Sequence, residues 1–160
     1  MKTIFESDNI RFTEVSELLT DDYLTMINDY ENVNRYTGRS GKTSTREQEI
    51  EWVRKKLDEK APVFSMIEKK SGRFIGNIEL MNLTATEGEL GIALTAGMQD
   101  MGYGTEAVRA FTRYGTEILG LKRICLRARP FNARAIHVYE KCGFREYARD
   151  DDHVYMELTQ

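Results

Sequence analysis

The sequence predicts an α+β fold: a central mixed, mostly antiparallel sheet of about six to seven strands flanked by about four helices. Three observations predict it. Strand-like runs recur at residues 9–15, 62–67, 73–83, 89–95, 122–128, 144–148 and 153–158. Four amphipathic stretches lie among them, at about 22–29, 45–57, 106–119 and 132–142. A strand, a helix and a strand in succession over 89–128 require one right-handed parallel pair among otherwise hairpin-like neighbours.

The elements follow in order. Residues 9–15 alternate apolar and polar, as a half-buried strand does. Thr20, Asp21 and Asp22 are N-cap candidates for a short helix carrying Tyr23, Leu24, Met26, Ile27 and Tyr30. Residues 30–44 are polar and glycine-spotted and read as a loop. Thr45 caps a helix with Ile50, Val53 and Leu57 on one face. A tight turn, Lys69-Lys70-Ser71-Gly72, joins strands 62–67 and 73–83 into a hairpin. In strand 89–95, Leu90, Ile92 and Leu94 share one face, and Glu89, Gly91, Ala93 and Thr95 share the other. The small residues of the second face leave room for a ligand or for a closely packed helix. Helix 106–119 buries Ala107, Phe111, Tyr114 and Ile118 as one stripe, with Gly120 as its C-cap. Residue 131 or 132 opens the last helix, and Gly143 stops it.

Composition bounds the function. At 160 residues, one domain spanning 1–160 is expected. Apolar residues are 41% and charged residues 31%, within the range of a soluble globular protein. A net charge of -3 and a pI of about 5.5 argue against a protein that tracks nucleic-acid phosphates. No apolar run approaches the ~20 residues that cross a bilayer, and the N-terminus is too polar for a signal peptide. Cys125 and Cys142 lie far apart and suggest a reducing, cytoplasmic setting rather than a disulfide framework. With His137 and His153 they make no zinc-site spacing, so no metal is expected.

Two stretches carry chemistry. The first is Gln99-Asp100-Met101-Gly102-Tyr103-Gly104-Thr105-Glu106-Ala107, between a strand and a helix. Its glycines let the backbone turn sharply and approach a ligand. The first N–H groups of a helix lack intrahelical partners, so the turn can cradle a phosphate or pyrophosphate. The second is Asn132-Ala133-Arg134-Ala135-Ile136-His137-Val138-Tyr139-Glu140-Lys141-Cys142-Gly143-Phe144. Asn132 and Tyr139 share a helix face, roughly 10 Å apart along the axis. An amide and a phenol so placed suit one long, partly amide-bearing ligand. Alternatively, Asn132 serves only as an N-cap and Tyr139 only as a core aromatic.

Gln-x-x-Gly-x-Gly-x-x-Ala, a strand, then Asn-x-x-Ala-x-x-x-Tyr-x-Lys-x-Gly-Phe together resemble the GNAT family of acyl-CoA-dependent N-acetyltransferases. The branch it looks most like holds ribosomal-protein-alanine N-acetyltransferases and polyamine (diamine) N-acetyltransferases, and Asn32-Val33-Asn34-Arg35-Tyr36 adds to that likeness. The resemblance implies a single N-acetyltransferase domain whose sheet is splayed between its fourth and fifth strands, 89–95 and 122–128. It implies acetyl-CoA as cosubstrate in that cleft. Backbone groups of Ile92, Ala93 and Leu94 would bond the pantetheine, and the N–H groups of Met101, Gly102, Tyr103, Gly104 and Thr105 the pyrophosphate. Gln99 would open the loop, Asn132 would contact the pantetheine, and Tyr139 would sit near the sulfur. Arg35 and Tyr36, with Arg39, would shape the acceptor pocket, unless that loop is merely solvated. A homodimer would match the family's habit. Two departures stand out: the family often has Gly at position 100 and Lys or Arg at 101, and this chain has Asp100 and Met101. A carboxylate beside a pyrophosphate is unfavourable, and a missing cation loses a charge-assisted contact.

Acyl transfer needs a neutral amine, a donor for the charge gathering on the thioester oxygen, and a proton for the leaving thiolate. An N–H near Ile92 or Ala93 is the candidate donor. Tyr139, of ordinary pKa near ~10, is the candidate acid. Glu89, on the small-residue face, is the candidate base, directly or through water; otherwise it is a surface carboxylate or a partner for an arginine. Cys142, before Gly143, reads as a core residue rather than an acyl carrier. The expected reaction is direct attack by a primary amine in a ternary complex. Peptide N-termini, polyamines, amino acids and aminoglycosides all remain open as acceptors. Two other readings compete. One is a non-catalytic, acyl-CoA-sensing or interaction domain of the same fold. The other is an NADP-binding protein, since Gly102-x-Gly104-x-x-Ala107 matches a dinucleotide fingerprint and Arg127 and Arg129 follow it.

Calorimetry separates the last reading from the others. Acetyl-CoA should bind at about micromolar level, with NADPH silent; heat from NADPH instead would mean that the glycines serve a dinucleotide.

Overall fold

Alternating apolar residues fold the first half of the chain as an antiparallel meander. In the computed structural model, which describes residues 1–160, β1 (Thr3–Glu6), β2 (Ile10–Glu14), β3 (Val63–Glu68), β4 (Phe74–Met81) and β5 (Glu87–Leu94) pair in sequence. β6 (Arg123–Ala128) then runs parallel to β5. β8 (Val154–Thr159) inserts beside β6 and leaves β7 (Arg145–Arg149) at the edge, giving the order β1-β2-β3-β4-β5-β6-β8-β7. The eighth strand, beyond the expected six to seven, is β1. Its Phe5 ring stacks on Phe12 at 4.2 Å and on Tyr114 at 4.8 Å.

Helices α1 (Thr20–Ile27) and α2 (Arg46–Glu59) cover one face of the sheet, and α3 (Tyr103–Arg113) and α4 (Ala133–Lys141) cover the other. Each face has its own core. Tyr23, Met26 and Val53 pack on Val63, Ile67 and Phe74. Ala107, Phe111 and Tyr139 pack on Ile78, Leu90, Ile124 and Leu126. No helix is long and apolar enough to cross a membrane.

Two helical faces differ from expectation. Thr45 does cap α2, in a box with Gln48. The inward face, however, carries Glu49 and Val53, with Trp52 packed on Tyr23 at 5.8 Å between ring centres, while Leu57 is 43% exposed. In α3 the stripe breaks after Tyr114. Residues Tyr114–Ile118 form a π-helical turn, which advances the chain by more residues per turn than an α-helix and rotates later side chains. Ile118 is therefore 69% exposed. Gly115 takes the inner place, where an added Cβ would lie 3.0 Å from Ile124 Cδ1.

The feature that positions the site is where one ladder stops. β5 pairs with β6 only from Glu87↔Arg123 to Glu89↔Cys125. Beyond this, β5 stays on β4 as far as Leu94↔Gly76, and β6 stays on β8 as far as Ala128↔Val154. The two strands diverge and open a wedge through the sheet. The β4 arm is tight at its tip, because a Cβ on Gly76 would lie 2.0 Å from the Ala93 carbonyl oxygen.

Gly76→Ala should force β4 from β5 and lower Tm by about 4–10 °C, the cost of overpacking in a domain of this size. Gly38→Ala, with nothing within 4 Å of its added Cβ, should shift Tm by less than about 1 °C. Equal melting of the two variants would show that the close approach at Gly76 carries no constraint.

Candidate active site

Beyond Glu89, the backbone of β5 has one free edge. Thr95 donates its N–H to Ile75 on β4 at 2.9 Å, and Ala93 pairs with Asn77 in the same register. Odd-numbered residues therefore aim their backbone groups at β4, and Ile92 and Leu94 aim theirs into the wedge. This corrects the expectation for Ala93, whose N–H and C=O face β4. Its methyl group lies on the α1–α2 side, against the smaller core. Of the two candidate oxyanion donors, only the Ile92 N–H faces the opening.

At the end of β5, a 3-10 turn (Ala96–Met98) leads into the glycine loop. Asp100 and Gly102 take left-handed backbone, with φ of 59° and 88°. None of the N–H groups of Asp100, Met101, Gly102, Tyr103, Gly104 and Thr105 meets a protein acceptor. Such a run at a helix start is an anion nest. Side chains below hold it in place. Tyr103 Oη donates to the Glu68 carboxylate, which raises the phenol to about 12, burial adding to the effect. Glu106, in the first turn of α3, accepts from Ser7 Oγ at 2.6 Å and from the Asn9 N–H at 2.7 Å. Burial works against its charge, but these bonds outweigh it and hold the carboxyl below its ordinary range.

Asp100 is not a bare charge beside this nest. Arg134 Nη1 lies 3.1 Å from its Oδ2, across from the first turn of α4. Sequence reading missed this pair because the two residues are far apart in the chain. Met101 is exposed and offers no cation.

Asn132 caps α4, its Oδ1 accepting from the Ala135 N–H at 3.2 Å, while its amide N–H groups find no protein acceptor. Tyr139, on the same helix, is 8% exposed and packs edge-on to Phe144. Its hydroxyl has no protein partner, yet it is not among the sealed unbonded atoms. Burial pushes this phenol up to about 12, with Cys142 adding to the effect. Gly104 sits between Leu94 of β5 and Val138 of α4, at 3.7 and 3.9 Å from the position of an added Cβ. That contact brings the nest, the free strand edge and α4 together.

Across the sheet, Glu89 lies at the last paired position of β5. Arg127 Nε is 3.5 Å from its Oε2, so the arginine-partner alternative is realised at this residue. Two further side chains on this face went unnoticed in the sequence because both sit on an ordinary-looking hairpin arm. Glu79, opposite Gly91, has no bonded partner. Burial raises its carboxyl, with Lys56 opposing and Glu89 adding. Asn77 ends a buried chain of hydrogen bonds: the Ser16 N–H donates to Tyr23 Oη at 3.1 Å, Tyr23 meets Ser65 at 2.6 Å, and Ser65 donates to Asn77 at 2.8 Å.

The loop after α1 is built, not merely solvated. Asn34, 2% exposed, donates to the carbonyls of Ile27 and Lys42 and accepts from the Gly41 N–H at 2.6 Å. The loop touches both arms of the wedge. Gln99 Nε2 donates to Leu94 O at 2.9 Å and to Asn32 O at 3.0 Å. On the other arm Arg129 reaches Thr37 O at 3.5 Å, and Tyr36 lies 5.7 Å from the Phe131 ring. Arg35, Tyr36, Phe131, Asn132 and Arg134 line a groove of about 290 Å³ there. Cys125 and Cys142 are unpaired thiols raised by burial, which suits packing rather than nucleophilic work. No group of His, Cys, Asp or Glu residues is placed to hold a metal.

A family model described as an acetyltransferase (GNAT) domain matches residues 10–145. An acetyltransferase (GNAT family) from Bacillus anthracis is 19% identical, with 99% of this chain and 98% of that one covered and a TM-score of 0.85. A spermidine N-acetyltransferase from Vibrio cholerae, solved with CoA and spermine, is 20% identical over 96% and 97% of the two chains, with a TM-score of 0.84. A Vibrio cholerae protein provisionally described as a ribosomal-protein-serine acetyltransferase is 15% identical over the full length of both, with a TM-score of 0.76. At these identities the solved structures establish the fold.

Arg134→Ala should weaken acetyl-CoA binding by about threefold at low salt, the scale of an exposed ion pair, and the loss should fade as salt is added. Adding Asp100→Asn, which tolerates left-handed backbone, should restore the affinity. Calorimetry of the single and double variants reads both, and an Arg134→Ala protein that binds normally would show that Asp100 is no burden to the nest.

Proposed function

The chain belongs to the GNAT acetyltransferase family, and we propose that it is an acetyl-CoA-dependent N-acetyltransferase acting on a primary amine, a peptide N-terminus or a small amine, by direct attack in a ternary complex. One observation carries this reading. The free edge of β5 leads, through one 3-10 turn, into six successive unbonded N–H groups. An extended, amide-bearing arm that ends in a diphosphate matches both parts, the first by strand-like hydrogen bonding and the second by charge.

The thioester supplies an activated acetyl group, and the chain's residues do the rest. N–H groups of Met101 to Thr105 bind the diphosphate, and Gln99 fixes the start of the loop. Ile92 and Leu94 bond the pantetheine along the wedge, and Asn132 meets it with its free amide. The Ile92 N–H donates to the thioester oxygen as negative charge gathers there. The amine nitrogen bonds to the carbonyl carbon and the C–S bond breaks. Tyr139 gives its proton to the leaving thiolate, and Glu89 takes the amine proton, directly or through water, with Arg127 holding its carboxylate in position. Arg35 and Tyr36 contribute to the acceptor site. Orientation in the wedge supplies a large part of the rate.

Tyr139→Phe tests the acid. We expect kcat to fall about 10²-fold with acetyl-CoA affinity unchanged. The phenol is the active form, and burial raises its pKa, so kcat should hold as pH rises to about 10. An unchanged kcat in the variant would remove Tyr139 from the mechanism. A wild-type protein that binds acetyl-CoA and acetylates no amine would favour the sensing domain.

A further inference from the structure

The loop of residues 31–37 touches the ends of both diverging strands, and the charges around it are unequal. Arg134 is engaged by Asp100, and Arg127 by Glu89. Asp29 is held by the side chain and N–H of Asn32. Arg35 and Arg129 have no carboxylate partner. Arg35 donates to Glu31 O at 3.0 Å and to Tyr36 Oη at 2.5 Å, and its guanidinium lies 4.6 Å from the Tyr36 ring centre. Arg129 donates to Thr37 O. Each is half-buried and keeps most of its donors free. Arg35 lies over the Tyr36 ring, which in turn packs on Phe131, and Arg129 follows the last residue of β6. Glu31, exposed at the groove, is the one carboxylate on its rim without a partner. Thus a chain of net charge -3 places beside the wedge two guanidinium groups with no ion-pair partner, against one unpaired carboxylate, Glu31.

We propose that the acceptor carries a carboxylate close to its amine, held by Arg35 and Arg129, and that polycationic amines are disfavoured. The inference rests on the acetyltransferase reading and names the substrate class for that site. Guanidinium groups recognise carboxylates through paired donors, and two of them repel an acceptor that brings several positive charges of its own. The shared chemistry has two sources: a free amino acid, or a peptide with acidic residues beside its N-terminus.

The test compares acceptors that differ only in charge. Alanine is set against alaninamide, and a short peptide beginning Ala-Glu-Asp against one beginning Ala-Gln-Asn, with spermidine as the polycation. Turnover of acetyl-CoA and binding to the CoA-loaded protein are both measured. We expect at least one acidic member to exceed its neutral twin by about tenfold in kcat/KM or affinity. The pair that shows it identifies the source, and spermidine should be poorest. Raising the salt should shrink the preference. Arg35→Gln and Arg129→Gln should each raise KM for the acidic acceptor several-fold, and Arg129→Gln should leave the neutral one within about twofold. Equal use of the twins, a preference for spermidine, or no acceptor bound would overturn the proposal. Acetyl-CoA binding in the same preparations reads the enzyme assignment separately, because a protein that binds acetyl-CoA but ignores acceptor charge refutes only the inference.

Discussion

β5 has a hydrogen-bonded neighbour on both sides as far as Glu89, and on one side only beyond it. A strand edge inside a sheet is costly unless something meets its backbone groups. Here both flanks continue on other partners, so the opening cannot close by a simple slip. β4 holds β5 through Gly76, and β8 holds β6 through Ala128. The wedge is thus a consequence of two well-made ladders that diverge. The nest, α4 and the loop after α1 are arranged around it.

The same economy of contacts fixes the nest. Its donors stay free because its side chains do the anchoring. Tyr103 reaches down to Glu68 at the end of β3, and Glu106 reaches the turn between β1 and β2. Those turns belong to the meander, on the far side of β4 from the wedge. The backbone that carries these free N–H groups is therefore tied to the most regular part of the fold. Arg134, from α4, offsets the charge of Asp100 beside it and leaves position 101 without a cation.

Much of this was legible in the chain itself. The glycine loop, the Asn132–Tyr139 helix, the cap at Thr45 and the long strands all announce themselves through local spacing, because local rules govern them. What escaped depends on partners distant in sequence. β1 is short and polar at its ends, and only Phe5, stacked on Phe12 and Tyr114, draws it into the sheet. Leu57 and Ile118 were expected inside. The first is displaced by a helix that turns Trp52 and Val53 inward, and the second by a π-turn that no apolar pattern encodes. Glu79 and Asn77 gain their interest only from the face they share with Gly91 and Ala93. Ala93 itself was placed on the right strand with its backbone facing the wrong way, because a spacing of two identifies side-chain faces and not which neighbour takes the amide.

Gln99 touches two territories with one amide, donating to Leu94 on the strand edge and to Asn32 in the loop after α1. A ligand group that takes the Leu94 carbonyl in place of the Gln99 amide alters what remains to hold Asn32. Occupancy of the wedge and the state of the loop are then thermodynamically linked. Such linkage is reciprocal: whatever free energy the first molecule to arrive contributes to the binding of the second, the second returns to the first.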